Sequence, residues 1–210
     1  PVDMGNFSSW KNKNFREAEQ KIGESLETES RFSLTDYMNK NSVTGIVFDV
    51  RNTNTGLIRN AVKCIDIIAP VATEGTGALA TAVDKDGKTI ETFTSDSDSR
   101  SFAMSILVNG NTSGAAELFA CDLRDFGIAT LVGTKTAGNG TMQKVFELSD
   151  GSAVALTVAK VVPYKSESFN GTGIEPDYKV ELTAEQNLRL PMLSLANDPQ
   201  YQKALTLVNN

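Results

Sequence analysis

The sequence predicts an α/β layered domain with a largely parallel core sheet, and three observations carry that expectation. Short β-branched and apolar runs recur at "TGIVFDV" (44–50), "SFAMSILV" (101–108) and "IATLVG" (128–133), each suited to a strand buried on both faces. The first two are followed by a turn and then by apolar residues three and four apart, the spacing of a helix laid on a sheet. Elsewhere strand-like stretches flank Asp-Gly pairs, which predicts added hairpins.

In chain order, "NFREAEQKIGESLE" (14–27) places Phe15, Ala18 and Ile22 on one face of a surface helix. A second short helix is expected over 33–41, with Ser33 as its N-cap. After the strand 44–50, "LIRNAVKCIDIIAP" carries Ile58, Val62, Ile65 and Ala69 on one stripe and stops at Pro70. "ATAVDKDGKTIETFT" reads as a hairpin with Asp86-Gly87 at its tip, and the charged "TSDSDSRS" (94–101) as a solvated loop. Behind the strand 101–108, Ala115, Ala116, Phe119, Leu123 and Phe126 form the inner face of a helix. "KVFELSDGSAVALTVAKVV" reads as a second hairpin, with Asp150-Gly151 as a two-residue turn.

Composition removes several function classes. Among 210 residues, 26 acidic against 20 basic side chains give a formal charge of −6, which argues against nucleic acid as a partner. No apolar run approaches the roughly 18 residues a membrane span needs. Cys64 and Cys121 fall in predicted helices, where buried free thiols are expected rather than a disulfide framework or a zinc site. Histidine is absent, so Ser-His-Asp and Cys-His mechanisms are excluded and a serine nucleophile here would need a base such as lysine. No metal and no cofactor is expected.

Four ordered stretches resemble the C-terminal processing (tail-specific) serine peptidases, family S41. "GIVFDVRNTNTG" is similar to that family's strand and turn ending DLRNNPGG. "VNGNTSGAAELFACDLRDFGIATLVGTKTAGNGTMQ" is similar to its nucleophile segment through to its lysine loop, "GTGIEPDYKVEL" to its GxGIxPD motif, and "NDPQYQKALTLV" to its closing helix. The resemblance implies a ClpP/crotonase-like β-β-α spiral core, here with added β-hairpins. It implies one peptidase core over 1–210, with an N-terminal helical segment (1–43), the core (44–182) and a C-terminal helical segment (183–210). The PDZ domain usual in the family is not expected within these residues. An extracytoplasmic setting and a peptide or unfolded protein segment as partner follow from the same likeness.

The resemblance also locates the chemistry. In the family pattern SASASE the serine three places before the glutamate is the nucleophile; with Glu117 as anchor that position is Gly114. The family's base is the lysine of GKGxxQ, and "GNGTMQ" puts Asn139 there, an amide with no basic lone pair. Gln143 falls at the orienting position. Where the family has RNNPGG, Thr55 replaces the first glycine and Gly56 keeps the second, so the oxyanion loop is altered, because a β-branched residue disfavours positive φ.

Ser113 precedes the nucleophile position by one residue, about a 100° turn at a helix entrance. Its hydroxyl, like that of Thr112, is expected to cap the helix. Lys135 and Lys144 are the nearby lysines in sequence and are expected to be solvated. Glu117 and Asp122 read as polar-face or capping residues. The sequence thus predicts an S41-like domain that has lost catalysis and is retained for binding. The alternative is an active serine endopeptidase using Ser113 with Lys135 or Lys144.

Overall fold

A computed structural model describes residues 2–3 (backbone only), 45–69, 78–95 and 103–209. The expected helices at 14–27 and 33–41, and most of the 94–101 loop, lie outside the described residues. The elements are β1 (Val2–Asp3), β2 (Gly45–Asp49), α1 (Ile58–Ile68), β3 (Ala78–Val83), β4 (Thr89–Thr94), β5 (Ala103–Val108), α2 (Ala115–Asp125), β6 (Ala129–Gly133), β7 (Thr141–Glu147), β8 (Ala153–Val162), β9 (Tyr178–Lys179), α3 (Ala184–Leu188) and α4 (Pro199–Val208).

The parallel sheet has the order β1-β2-β5-β6-β9, and a second, antiparallel sheet the order β4-β3-β8-β7. In the parallel sheet Ile46 pairs with Met104 and Phe48 with Ile106, and Ile106 in turn with Leu131. Because side chains alternate across a strand, Phe48, Ile106 and Leu131 enter one core with α1 and α2. Val47, Leu107 and Val132 enter a second core with Ala204 and Val208 of α4. The strands are apolar on both faces because helices cover both, as the unbroken runs predict. The Phe48 and Phe119 rings meet edge to face with centroids 5.3 Å apart.

Helix α1 buries Ile58, Ala61, Val62, Cys64 and Ile65 and ends at Ala69, close to the predicted stripe. Helix α2 departs from expectation. Every residue from Ala115 to Leu123 is buried, including Glu117 and Asp122, since α2 packs against both α1 and β6. A one-sided helix with a polar outer face is therefore corrected to one enclosed on all sides as far as Leu123, with only Arg124 and Asp125 partly exposed at its end.

Both hairpins form where the Asp-Gly pairs predict them, with longer turns. Leu148 pairs with Ser152 around Ser149, Asp150 and Gly151, and Gly151 donates its N–H to Leu148 O. Asp84 and Lys88 enclose Lys85, Asp86 and Gly87 in the same way. Both are three-residue loops with a positive-φ glycine, a standard hairpin variant, rather than the two-residue turn expected at Asp150-Gly151.

Helix α4 is fastened to the end of β2 through Arg51. The guanidinium grips Asp49 through Nε at 2.9 Å and Nη2 at 2.5 Å, and its Nη1 reaches Asp198 at 2.8 Å and Gln200 Oε1 at 2.9 Å. Asp198 also caps α4, accepting the N–H groups of Gln200 and Tyr201. One charged side chain thereby fixes both the closing helix and the mouth of the turn that follows β2.

Candidate active site

The parallel strands β2, β5 and β6 end side by side, and the segments leaving them meet there. At the end of β5, Thr112 Oγ1 donates to Val50 O at 3.0 Å and accepts the Asn109 N–H at 2.9 Å. Ser113 donates its N–H to Thr53 O at 2.9 Å, and Ala137 donates to Thr112 O at 3.0 Å. Both anchors are buried, so the turn before α2 is tied to the turn after β2 on one side and to the loop after β6 on the other. On the outer rim Asn52 Oδ1 accepts the side-chain amides of Asn109 and Asn111, each at 3.0 Å.

Gly114 is the N-cap of α2 and sits at φ 65°, ψ −116°, a region that side-chain-bearing residues rarely occupy. A Cβ placed on it would meet nothing closer than Asn139 O at 3.8 Å. The structure thus brings the two positions singled out in the sequence together, at a strand-to-helix turn that projects a residue outward, with neither hydroxyl nor amine present.

Glu117 holds this arrangement. Its Oε2 accepts the N–H groups of Gly114 at 3.0 Å and Asn139 at 2.8 Å. Its Oε1 accepts the N–H of Gly138 at 2.7 Å and the hydroxyl of Thr136. The side chain is fully buried, so four donors replace the water it loses. Thr136 Oγ1 accepts the Ile174 N–H at 2.8 Å, extending the network to the segment that resembles GxGIxPD. Gly138, at φ 81°, lies so close to that segment that a Cβ would stand 2.7 Å from Gly173 N. Asp177 accepts the Leu131 N–H at 2.7 Å and so locks the same segment to β6.

The expectation of Ser113 and Thr112 as caps is corrected. The N-cap is Gly114, with no side-chain cap bond from a hydroxyl, and the capping carboxylate comes from Glu117 inside the helix. Thr112 spends its hydroxyl between β2 and β5. The capping alternative expected of Glu117 holds, at the three-residue interval from Gly114 that marks a capping box, whereas its bonds to Thr136, Gly138 and Asn139 were not foreseen.

The remaining candidates are dispersed. Asn139 is exposed, and its Oδ1 accepts the Thr141 hydroxyl at 2.8 Å. Gln143 lies on β7 opposite Thr157, just past a register shift, and is exposed. Lys135 is half-exposed and pairs with Glu175 at 3.0 Å. Lys144 lies over the Phe146 ring, 5.4 Å from its centroid. Among the described residues no hydrogen bond joins the Ser113 hydroxyl to a lysine. In the turn 51–56 the positive φ values fall on Asn52 (58°) and Gly56 (150°). Thr55 needs no positive φ, so its β-branch meets no such penalty there.

Burial perturbs one carboxyl and both thiols of the interior. It is the first cause that raises Asp122 well above the ordinary carboxyl value, with repulsion from Asp125 adding and the Tyr164 N–H opposing. The Asp122 Oδ1 accepts that N–H at 3.0 Å, while Oδ2 has no hydrogen-bond partner among the described residues. Burial likewise pushes the Cys121 thiol up to about 12 and that of Cys64 higher, so neither is a thiolate nucleophile near neutrality. Among the described residues no helix is long and apolar enough to cross a membrane.

Known proteins share this frame. The model of peptidase family S41 matches residues 13–180. A carboxyl-terminal-processing protease of Synechocystis is 35% identical over 170 residues, covering 78% of this chain and 36% of that protein. Carboxyl-terminal-processing peptidase 1, chloroplastic, of Arabidopsis thaliana is 35% identical over 134 residues, covering 63% and 27%. Among solved structures, the photosystem II D1 C-terminal processing protease superposes with a TM-score of 0.64 at 28% identity, over 85% of this chain and 41% of that one. A lipoprotein from Streptococcus agalactiae shares the fold, with a TM-score of 0.60 at 21% identity, over 79% and 54%. The chain spans about a third of the length of the curated relatives it matches. Ordered motifs, spiral α/β core and extensive sequence identity agree, and the chain belongs to peptidase family S41.

Proposed function

We propose that this S41 domain does not hydrolyse peptide bonds and instead binds extended peptide or unfolded protein segments. The observation that carries the reading is Gly114. Its backbone is held in an outward-projecting conformation by Glu117 with open space above it, yet it presents no nucleophile, and Asn139 beside it offers no base. A serine hydroxyl attacks an amide only when a neighbouring group takes its proton. Oxyanion donors alone leave only a small residual rate.

The frame around the empty centre supports binding. The turn 51–56 and the rim amides of Asn52, Asn109 and Asn111 offer main-chain and amide partners to an extended segment, and strand addition needs no catalytic side chain. The competing assignment, Ser113 with Lys135 or Lys144, is disfavoured by the engagement of Lys135 with Glu175 and by the placement of Lys144 over Phe146. We further read residues 1–210 as one peptidase core, with no PDZ domain among them, acting outside the cytoplasm on a peptide or protein partner.

Two measurements on the full chain test the proposal. Incubation with an unfolded protein substrate is expected to give no cleavage, and isothermal titration with extended peptides ending in a free carboxylate is expected to give binding heat. A folded chain that gives no heat with any such peptide removes the binding half. Turnover lost in Ser113→Ala removes the other.

A further inference from the structure

The outer half of the β7–β8 hairpin leaves the body of the domain with neither face covered by the described residues. Val145 is 63% exposed, Phe146 38%, Leu148 50%, Val154 37% and Leu156 50%. Register places Phe146 opposite Val154 and Lys144 opposite Leu156 on one face, and Val145 opposite Ala155 on the other. A two-stranded ribbon open on both faces is marginal in water, and clustered exposed apolar side chains mark a contact surface. β7 is also the end strand of its sheet, with no strand on its outer edge among the described residues. Leu148 donates its N–H to Ser152 O across the hairpin. Antiparallel alternation therefore turns the N–H and C=O groups of Val145 and Glu147 toward that open edge.

We propose that β7 joins two copies of this chain, pairing antiparallel with β7 of the second copy about a two-fold axis at Val145. A two-fold axis perpendicular to a sheet keeps each side chain on its own face, so a residue can oppose only one of the same parity. Centred on Val145, the strand is complementary to itself. Val145 meets Val145 of the other copy, Lys144 meets Phe146, Gln143 meets Glu147 and Met142 meets Leu148, with no like charges directly opposed. Lysine on an aromatic ring, amide on carboxylate and apolar on apolar are all favourable cross-strand pairs. Both free backbone groups of Val145 then bond their counterparts, and two four-stranded sheets become one of eight. That self-complementarity favours a second copy over an unrelated peptide, whose side chains nothing on β7 would select.

Sedimentation equilibrium of the full chain tests the proposal. The unmodified chain is expected to show a concentration-dependent dimer. Val145→Glu opposes two carboxylates at the axis and is expected to weaken the dimer about tenfold or more, with an unchanged circular dichroism spectrum because the site is exposed. Val145→Cys is expected to form a disulfide-linked dimer under mild oxidation, its Cα atoms being about 5.5 Å apart in a hydrogen-bonded pair. Phe146→Cys, on the diagonal, is expected to link far less. A monomer at every concentration, a dimer indifferent to Val145→Glu, or preferred linkage through Phe146→Cys would each overturn the assignment.

Discussion

Glu117 Oε2 accepts the N–H of Gly114 at 3.0 Å, so a side chain inside α2 fixes the backbone of the residue that begins it. The same carboxylate holds Gly138 and Asn139, which makes the turn before α2 and the loop after β6 one rigid unit. The relative placement of Gly114 and Asn139 is thus maintained by one buried carboxylate.

Glu117→Ala is therefore expected to leave several buried donors unpaired and to destabilise the domain by about 3 kcal/mol or more. Chemical denaturation with an unchanged m-value checks the figure. A loss under about 1 kcal/mol would mean that the loop holds itself.

Gly114→Ser has room for its side chain but must adopt φ near 65°. It is expected to lower stability by about 1–3 kcal/mol and, facing Asn139 rather than an amine, to remain without peptidase activity. A thermal melt and a peptide-cleavage assay on the same preparation check both halves.

Asp122 sets a pH dependence whose sign follows from linkage. Its folded-state pKa lies above the unfolded value of 3.8, with burial as first cause, so the native state holds a proton that the unfolded chain gives up. The stabilisation is complete below the unfolded pKa and is lost as pH rises through the folded one, at up to about 1.4 kcal/mol per pH unit. Asp122→Asn is expected to lack this decline. Melting temperatures of the two proteins should diverge from pH 4 upward, the variant being the more stable at neutral pH; parallel curves would refute the assignment.

Arg51 ties β2 to α4 through Asp49 and Asp198. Arg51→Ala strands the buried Asp198 carboxylate and is expected to destabilise the fold by about 3–5 kcal/mol. Hydrogen exchange is expected to quicken first across residues 199–208, and uniform loss of protection would show that α4 is not the element released.

The sequence made β2, β5 and β6 legible because both faces are apolar, and their boundaries fall within two residues of the expected ones, whereas the two-residue β1 and β9 carry no such run. Hairpins were readable from Asp-Gly, though not the third residue of each loop, which depends on strand twist. The enclosure of α2 was not readable. Glu117 and Asp122 look like an outer face in a linear pattern, and it is the loop after β6 over Glu117 and the segment at Tyr164 against Asp122 that make them interior. At the site, Gly114 and Asn139 were located through the spacing of the family motifs, and the fold places them side by side. The bond from Thr112 to Val50 could not be foreseen, because it depends on the pairing of β2 with β5, whereas the bond from Asn109 is local to the turn. Lys135 and Lys144 are exposed, as expected of them, and only the fold brings Glu175 to Lys135, whereas Phe146 is a neighbour of Lys144 on the same strand face.

The most direct test of an emptied catalytic centre is cleavage of an unfolded protein substrate by the purified chain, set beside Ser113→Ala. No fragments are expected from either protein over a long incubation. Fragments from the unmodified chain that disappear in Ser113→Ala would contradict that expectation.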